Sequence, residues 1–275
     1  MFRWDGGFIM VDGHKFEEAI QWYQDFLGWE CLDSITTWVG RKGFMKLPRS
    51  GMVTIKSFEG EYDHFRSPET EGNVKLVFVT YDLDETRNYL VEKGVQTFAI
   101  NVLPNGQRYC DILSFDNTKL TIAEEQKLED NNVYPPSGII GFGNVNTIIH
   151  VKDPVNSAEW YEKNLGFNIV EVNAEKGYAH LQTEDAYYRN VLGQPFWDNI
   201  WLLHGKDICV EKPNDNKARA YYDIRPEVFF EEYNKLIQKG IKPSEIAGDP
   251  INGWGGFHIY DPDNNRINIW SYKAN

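Results

Sequence analysis

The sequence predicts an α+β fold: tandem βαβββ modules that pair into curved, barrel-like mixed sheets with the helices outside. Three observations predict it. A helical segment occurs twice, as "QWYQDFLGW" (21–29) and "EWYEKNLGF" (159–167), with Trp22 and Trp160, Tyr23 and Tyr161, Leu27 and Leu165, and Gly28 and Gly166 at one constant spacing. A second helical pattern and several short β-like runs follow each copy. A polar stretch with the pair Pro135-Pro136 separates the two halves of the 275-residue chain.

The first helix has apolar residues at 16, 19, 20, 23, 26 and 27, a stripe of period 3.6 that ends at Gly28. β-like runs follow at "TTWVG", "GFMKL" and "MVTIKSF", then "VKLVFVTY". The second helix, "LDETRNYLVEKGV" (83–95), turns Leu83, Thr86, Leu90 and Val91 inward and stops at Gly94. "KLTIAE" closes the first half.

The segment 124–138, "EEQKLEDNNVYPPSG", is too polar to bury a core and reads as a connection. The expected boundaries are a first domain at 1–128, a linker at 129–137 and a second domain at 138–275. In the second half "NTIIHV" precedes a helix capped by Asp153, opened by Pro154 and ended by Gly166. "YAHLQ", "NIWLLH", "KDICVEK" and "RAYYDI" are the next β-like runs. The last helix, "PEVFFEEYNKLIQKGI" (226–241), carries Phe229, Tyr233, Leu236 and Ile237 as its apolar stripe. "FHIYD" and "RINIW" then form a hairpin around Asp261-Pro262-Asp263-Asn264-Asn265, where Asn264 is the residue suited to a left-handed turn position. Modules this small close no core alone, so they pair into a sheet with a cup, and the cup is where a ligand would bind.

Composition narrows the function. A net charge of −13 without a Lys/Arg cluster speaks against nucleic acid. No apolar run reaches membrane-spanning length, and the N-terminus has no signal-peptide core. Three scattered cysteines, Cys31, Cys110 and Cys209, fit a reducing cytoplasm. Nine Trp, fifteen Tyr and sixteen Phe supply rings both for cores and for pocket walls. The expected partner is a small molecule, in a monomer or a homodimer.

"SAEWYEKNLGF", the endings "LVEKGV" and "LIQKGI", and the hairpin "FHIYDPDNNRINIW" with its weaker counterpart "ILSFDNTKLTIA" resemble the vicinal oxygen chelate superfamily. That superfamily includes glyoxalases, bleomycin-resistance proteins and extradiol dioxygenases. The resemblance covers nearly the whole chain except the linker and an insertion at 183–198. It implies a divalent metal held by imidazole, amide and carboxylate groups from the first, middle and last strands of a module. Asn268 and Thr121 stand where the resemblance places a last-strand glutamate; Asn146 and Phe8 match the opening strands, and Arg219 and Lys75 lie near the middle ones. None of these sets is a His/carboxylate triad, and arginine and lysine repel a cation. The family metal site is therefore expected to be lost, with no cofactor. A divalent metal relocated to His150, His258 and Glu211 is the alternative.

Two readings result. One is a metal-free binding protein whose cup is lined by Trp201, Tyr221, Trp254, Asn146, Asn268 and Arg219, with Trp38, Trp197, Tyr222 and Trp270 as further candidates. The acidic surface then favours a cationic or aromatic ligand. The other is a metal-dependent lyase or dioxygenase seated in the second half, with His258 and Tyr260 as the catalytic candidates. No GxSxG, Walker or HExxH motif offers a different chemistry.

Overall fold

A computed structural model describes residues 2–62, 72–127, 132–184, 197–205, 208 and 215–271, apart from the side chain of Trp254. The first module comprises β1 (Arg3–Met10), α1 (Phe16–Trp22), β2 (Glu30–Thr37), β3 (Gly40–Lys46) and β4 (Met52–Lys56). The second has β5 (Val74–Thr80), α2 (Leu83–Glu92), β6 (Gln96–Thr97), β7 (Asn101–Val102), β8 (Arg108–Leu113) and β9 (Lys119–Glu124). The third has β10 (Val145–Val151), α3 (Pro154–Leu165), β11 (Asn168–Asn173), β12 (Tyr178–Glu184) and β13 (Trp197–His204). The fourth has β14 (Ala218–Ile224), α4 (Phe229–Gln238), β15 (Ala247–Asp249), β16 (Trp254–Tyr260) and β17 (Arg266–Ser271).

The modules pair across the halves of the sequence. One sheet runs β15-β16-β17-β14-β1-β4-β3-β2 and so joins the fourth module to the first. The other runs β11-β12-β13-β10-β5-β9-β8-β6 and joins the third to the second. The central seams are antiparallel, β1 to β14 and β10 to β5, while each opening strand pairs in parallel with the last strand of its own module. The residue spans 1–128 and 138–275 therefore each contribute to both sheets. The sheets meet back to back where Gly7 pairs Ala220. A Cβ on Gly7 would stand 2.6 Å from the Leu76 side chain, so the small residue sets how closely the layers approach. One continuous core of buried side chains spans both sheets and the helices.

Helix ends follow their sequence signals. Asp153 accepts hydrogen bonds from the backbone N–H of Val155 and Asn156, Asp82 accepts one from Glu85, and Gly28 and Gly166 take left-handed φ of 72° and 74°. The repeated tyrosine explains why its segment occurs twice. Tyr161 on α3 donates to the Asp261 carboxylate in the β16–β17 turn at 2.9 Å. Tyr23 meets the Ser114 hydroxyl in the β8–β9 turn at 3.0 Å. Each copy thus ties the first module of its own half to the closing turn of the second.

Several expectations are corrected. "TTWVG" holds the end of β2 (Thr36, Thr37), the Trp38-Val39 turn and the start of β3 (Gly40), and Trp38 in the turn is 71% exposed. α1 continues into a π-turn, Tyr23–Leu27, which shifts the phase of its stripe. Val91 and Ile237 point to solvent at 58% and 48% exposure: each lies in the last turn of its helix, on the side away from the buried Leu90 and Leu236. β1, β2, β8 and β11 carry no clean hydrophobic signal and escape sequence reading. Part of the supposed linker is packed: Ser137 is buried and donates to the Leu27 carbonyl at 2.8 Å, and Pro135 lies against Gly28. "KDICVEK" falls almost wholly outside the described residues.

Candidate functional site

Strand alternation decides what lines each cup. In the first sheet Ile9, Val53, Ile55, Ala220, Tyr222, Ile267 and Ile269 face the inter-sheet core. Their neighbours face the other way. Phe8 and Met10 form a separate buried cluster with Phe58 and Tyr221. Lys42 on β3 pairs with Lys56 on β4, and Tyr221 on β14 pairs with Asn268 on β17, which in turn pairs with His258 on β16. Two lysines directly opposite one another are electrostatically unfavourable, and here arginines join them.

The walls are aromatic. Phe8 stacks on Tyr221 at 4.3 Å between centroids, and Tyr221 lies 6.0 Å from Trp270. The Lys56 Nζ is 5.4 Å from the Phe8 ring, 5.1 Å from Phe58 and 5.5 Å from Trp270. Lys42 approaches the other side of the same cage, 5.4 Å from Trp270. The Arg219 guanidinium is 5.8 Å from Phe8, is almost fully buried, and donates from Nε to the Asn216 carbonyl at 2.5 Å. Arg266 donates from Nε to Asn268 Oδ1 at 3.0 Å and from Nη2 to His258 Nδ1 at 3.1 Å. An imidazole that accepts there is neutral, with its proton on the far nitrogen.

Asp215 neighbours two of these cations, at 3.3 Å from Arg266 and 3.8 Å from Arg219, with its side chain 37% exposed, and Asp5 acts on Tyr221. The electrostatic consequence runs through the whole cup. Burial, then Lys42, Arg219 and Arg266, push the Lys56 amine down from 10.5 to about 7. The three rings favour the cation by about 0.5–1 kcal/mol each, which opposes this direction without reversing it. Burial also lowers Lys42. Arg219 falls to about 10 through burial and the nearby Arg266, and His258 falls to about 4 for the same two reasons. Tyr260, edge-on to His258 at 5.4 Å, is raised by burial and Asp215.

The second cup holds a larger buried apolar cluster. Val77, Leu103, Tyr109, Ile148, Tyr178 and Trp201 pack together in it. Its lysine is neutralised: Lys75 pairs with Asp111 at 2.7 Å, and Thr121 donates to the other oxygen of that carboxylate at 2.7 Å. His150 is nearby and is held down at about 4 by burial and Lys75. Trp201 stacks on His180 at 4.5 Å.

Tyr221, Arg219, Asn268, His258, Tyr260 and Trp270 are thus brought together in the first cup. Trp201 and His150 belong to the second sheet. Asn146 is buried there and donates to Asp198, and Tyr222 faces the inter-sheet core. Trp197 lies at the start of β13, also in the second sheet. Of the histidines named for a relocated metal site, His150 stands on the second sheet and His258 on the first. Glu211, and the side chain of Trp254, lie outside the described residues. Sequence reading missed Lys56, Lys42 and Arg266. The signal was present for Lys56, because "MVTIK" alternates Val53 and Ile55 with Thr54 and Lys56.

At the positions the family resemblance matched to metal ligands in the first cup stand Phe8, Arg219 and Asn268, surrounded by Lys42, Lys56 and Arg266. Among the described residues no group of three His, Cys, Asp or Glu side chains could hold an ion. A donor set of this charge does not fit a divalent cation. At an effective dielectric of 20, a divalent ion about 6 Å from one guanidinium is opposed by roughly 5 kcal/mol.

No family model matches the sequence, and no curated protein matches it. Solved structures do match the fold. Glyoxalase I from Zea mays is similar over 98% of this chain and 92% of its own, with a TM-score of 0.63 at 12% identity. A Bacillus subtilis protein assigned as a dioxygenase is similar over 100% of this chain and 87% of its own, with a TM-score of 0.62 at 12% identity. The fold is the vicinal oxygen chelate fold that the sequence resemblance implied.

Proposed function

We propose that the first cup binds a small organic anion with a flat apolar part, gripped directly by arginine and lysine and not through a divalent ion. The sign of the lining carries this reading: four cationic side chains, Lys42, Lys56, Arg219 and Arg266, gather on one face of the first sheet, against the two carboxylates Asp215 and Asp5 that act on this group. A guanidinium pair matches a planar carboxylate in shape as well as charge. Phe8, Tyr221 and Trp270 offer ring faces to the remainder of the ligand. The surface acidity pointed to a cationic ligand, but a ligand inside the cup meets the local field, which has the opposite sign.

A metal-dependent lyase or dioxygenase would have to place its ion among these cations. Among the described residues no helix is long and apolar enough to cross a membrane. A cytoplasmic monomer or homodimer that meets neither nucleic acid nor membrane is part of the same proposal.

Calorimetric titration of chelator-treated protein tests it, with mandelate as the aromatic anion and benzylammonium as its cationic counterpart. Mandelate is expected to bind without added metal, and at least about tenfold more weakly in Arg266→Met, the loss of one charge-assisted contact. Preference for benzylammonium, or binding of mandelate only after a divalent ion is restored, would refute the reading.

A further inference from the structure

Lys56 differs from the other cup cations. Three rings surround its Nζ at 5.1 to 5.5 Å, and among the described residues no carboxylate or hydrogen-bond acceptor meets it. The charged groups that face it, Lys42 from β3, Arg219 from β14 and Arg266 from β17, are all cations. A lysine kept only for packing would be served as well by methionine. A desolvated amine beside other cations is instead the arrangement that makes a lysine nucleophilic near neutral pH. Arg219 and Arg266 act on Lys56 from the same face of the sheet, where they would hold a ligand carboxylate.

We infer that Lys56 captures the carbonyl carbon of an aromatic 2-oxo carboxylate as an imine while Arg219 and Arg266 hold its carboxylate. This rests on the anion-binding reading above and adds a covalent step to it. The Nζ lone pair attacks the ketone carbon and forms a C–N bond. The carbonyl C–O bond then breaks, and the oxygen leaves as water with the two protons that the amine gives up. Nothing is oxidised or reduced, and hydrolysis reverses the step. The aromatic walls take the flat side chain of the oxo acid, and the amine's tendency toward the neutral form, near pH 7, keeps it available for attack.

Phenylglyoxylate with sodium cyanoborohydride tests the inference, because the hydride fixes an imine as a stable secondary amine that peptide mass spectrometry locates. The expected result is one adduct at Lys56, formed about 10–10² times faster than on a surface lysine. Saturating mandelate, which has no ketone, should suppress it, and Lys56→Arg should abolish it while retaining the charge. The mandelate competition uses the unaltered protein and serves even if that variant fails to fold. Adducts spread over exposed lysines such as Lys93 and Lys176, unchanged by mandelate, would overturn the inference. Mandelate binding without any Lys56 adduct would overturn the covalent step and leave the binding reading intact. Absence of both would overturn the two together.

Discussion

Replacing Lys56 by methionine should make the protein more stable. The amine moves from 10.5 to about 7 on folding, chiefly through burial and then through its cationic neighbours. Between those values the unfolded chain binds more protons than the folded one, so stability rises with pH across that window. At and below pH 7 the folded state carries nearly the whole linkage cost, about 4–5 kcal/mol. The three cation–π contacts return about 0.5–1 kcal/mol each, which leaves a net cost of about 1–3 kcal/mol. Methionine fills a similar length of the cage without a charge. Urea unfolding of both proteins at pH 7 and again near pH 10 measures the difference. The variant is expected to gain about 1–3 kcal/mol at pH 7, and the gap should narrow at the higher pH, where the folded amine is neutral and the unfolded one is beginning to lose its proton. A loss of stability in Lys56→Met at pH 7, or a gap that widens with pH, would refute the picture of an uncompensated cation in the cup.

Other consequences follow from the same geometry. Tyr161→Phe removes a buried hydrogen bond to a carboxylate and should cost about 1.5–3 kcal/mol, whereas Tyr23→Phe, which faces a serine hydroxyl, should cost about 0.5–1.5 kcal/mol; thermal unfolding orders the two. His150 and His258, both pushed to about 4 mainly by burial, should keep neutral imidazole NMR shifts from pH 8 down to pH 5. Because the unfolded histidines take protons first, stability should fall as pH drops from 6.5 toward 4. Gly28→Ala should cost more than about 1 kcal/mol in chemical denaturation, since φ is 72° and the new Cβ would lie 2.3 Å from Pro135.

The readable parts of the sequence are those governed by local chemistry. Asp153-Pro154 and Gly166 bracket α3 as their types require, and Asn264 takes the positive φ of 59° that the closing turn demands. The pairing of the first module with the fourth was not readable. Alternation tells which face of a strand is apolar, but it does not name the strand at its edge. β1 was obscured by Gly6 and Gly7, the first at φ 85° in the stretch where its register with β14 shifts. The charge of the cup escaped for a related reason. Lys42, Lys56, Arg219 and Arg266 are far apart in sequence, and only the cross-half sheet gathers them. A net charge of −13 averages that cluster away.

A crystal structure of the protein with mandelate, grown without chelator, tests the central claim most directly. The account requires the carboxylate to lie within hydrogen-bond distance of Arg219 or Arg266 in the first cup, with its ring against Phe8, Tyr221 or Trp270. Mandelate lodged in the second cup, or a divalent ion standing between it and the protein in the first, would contradict that account.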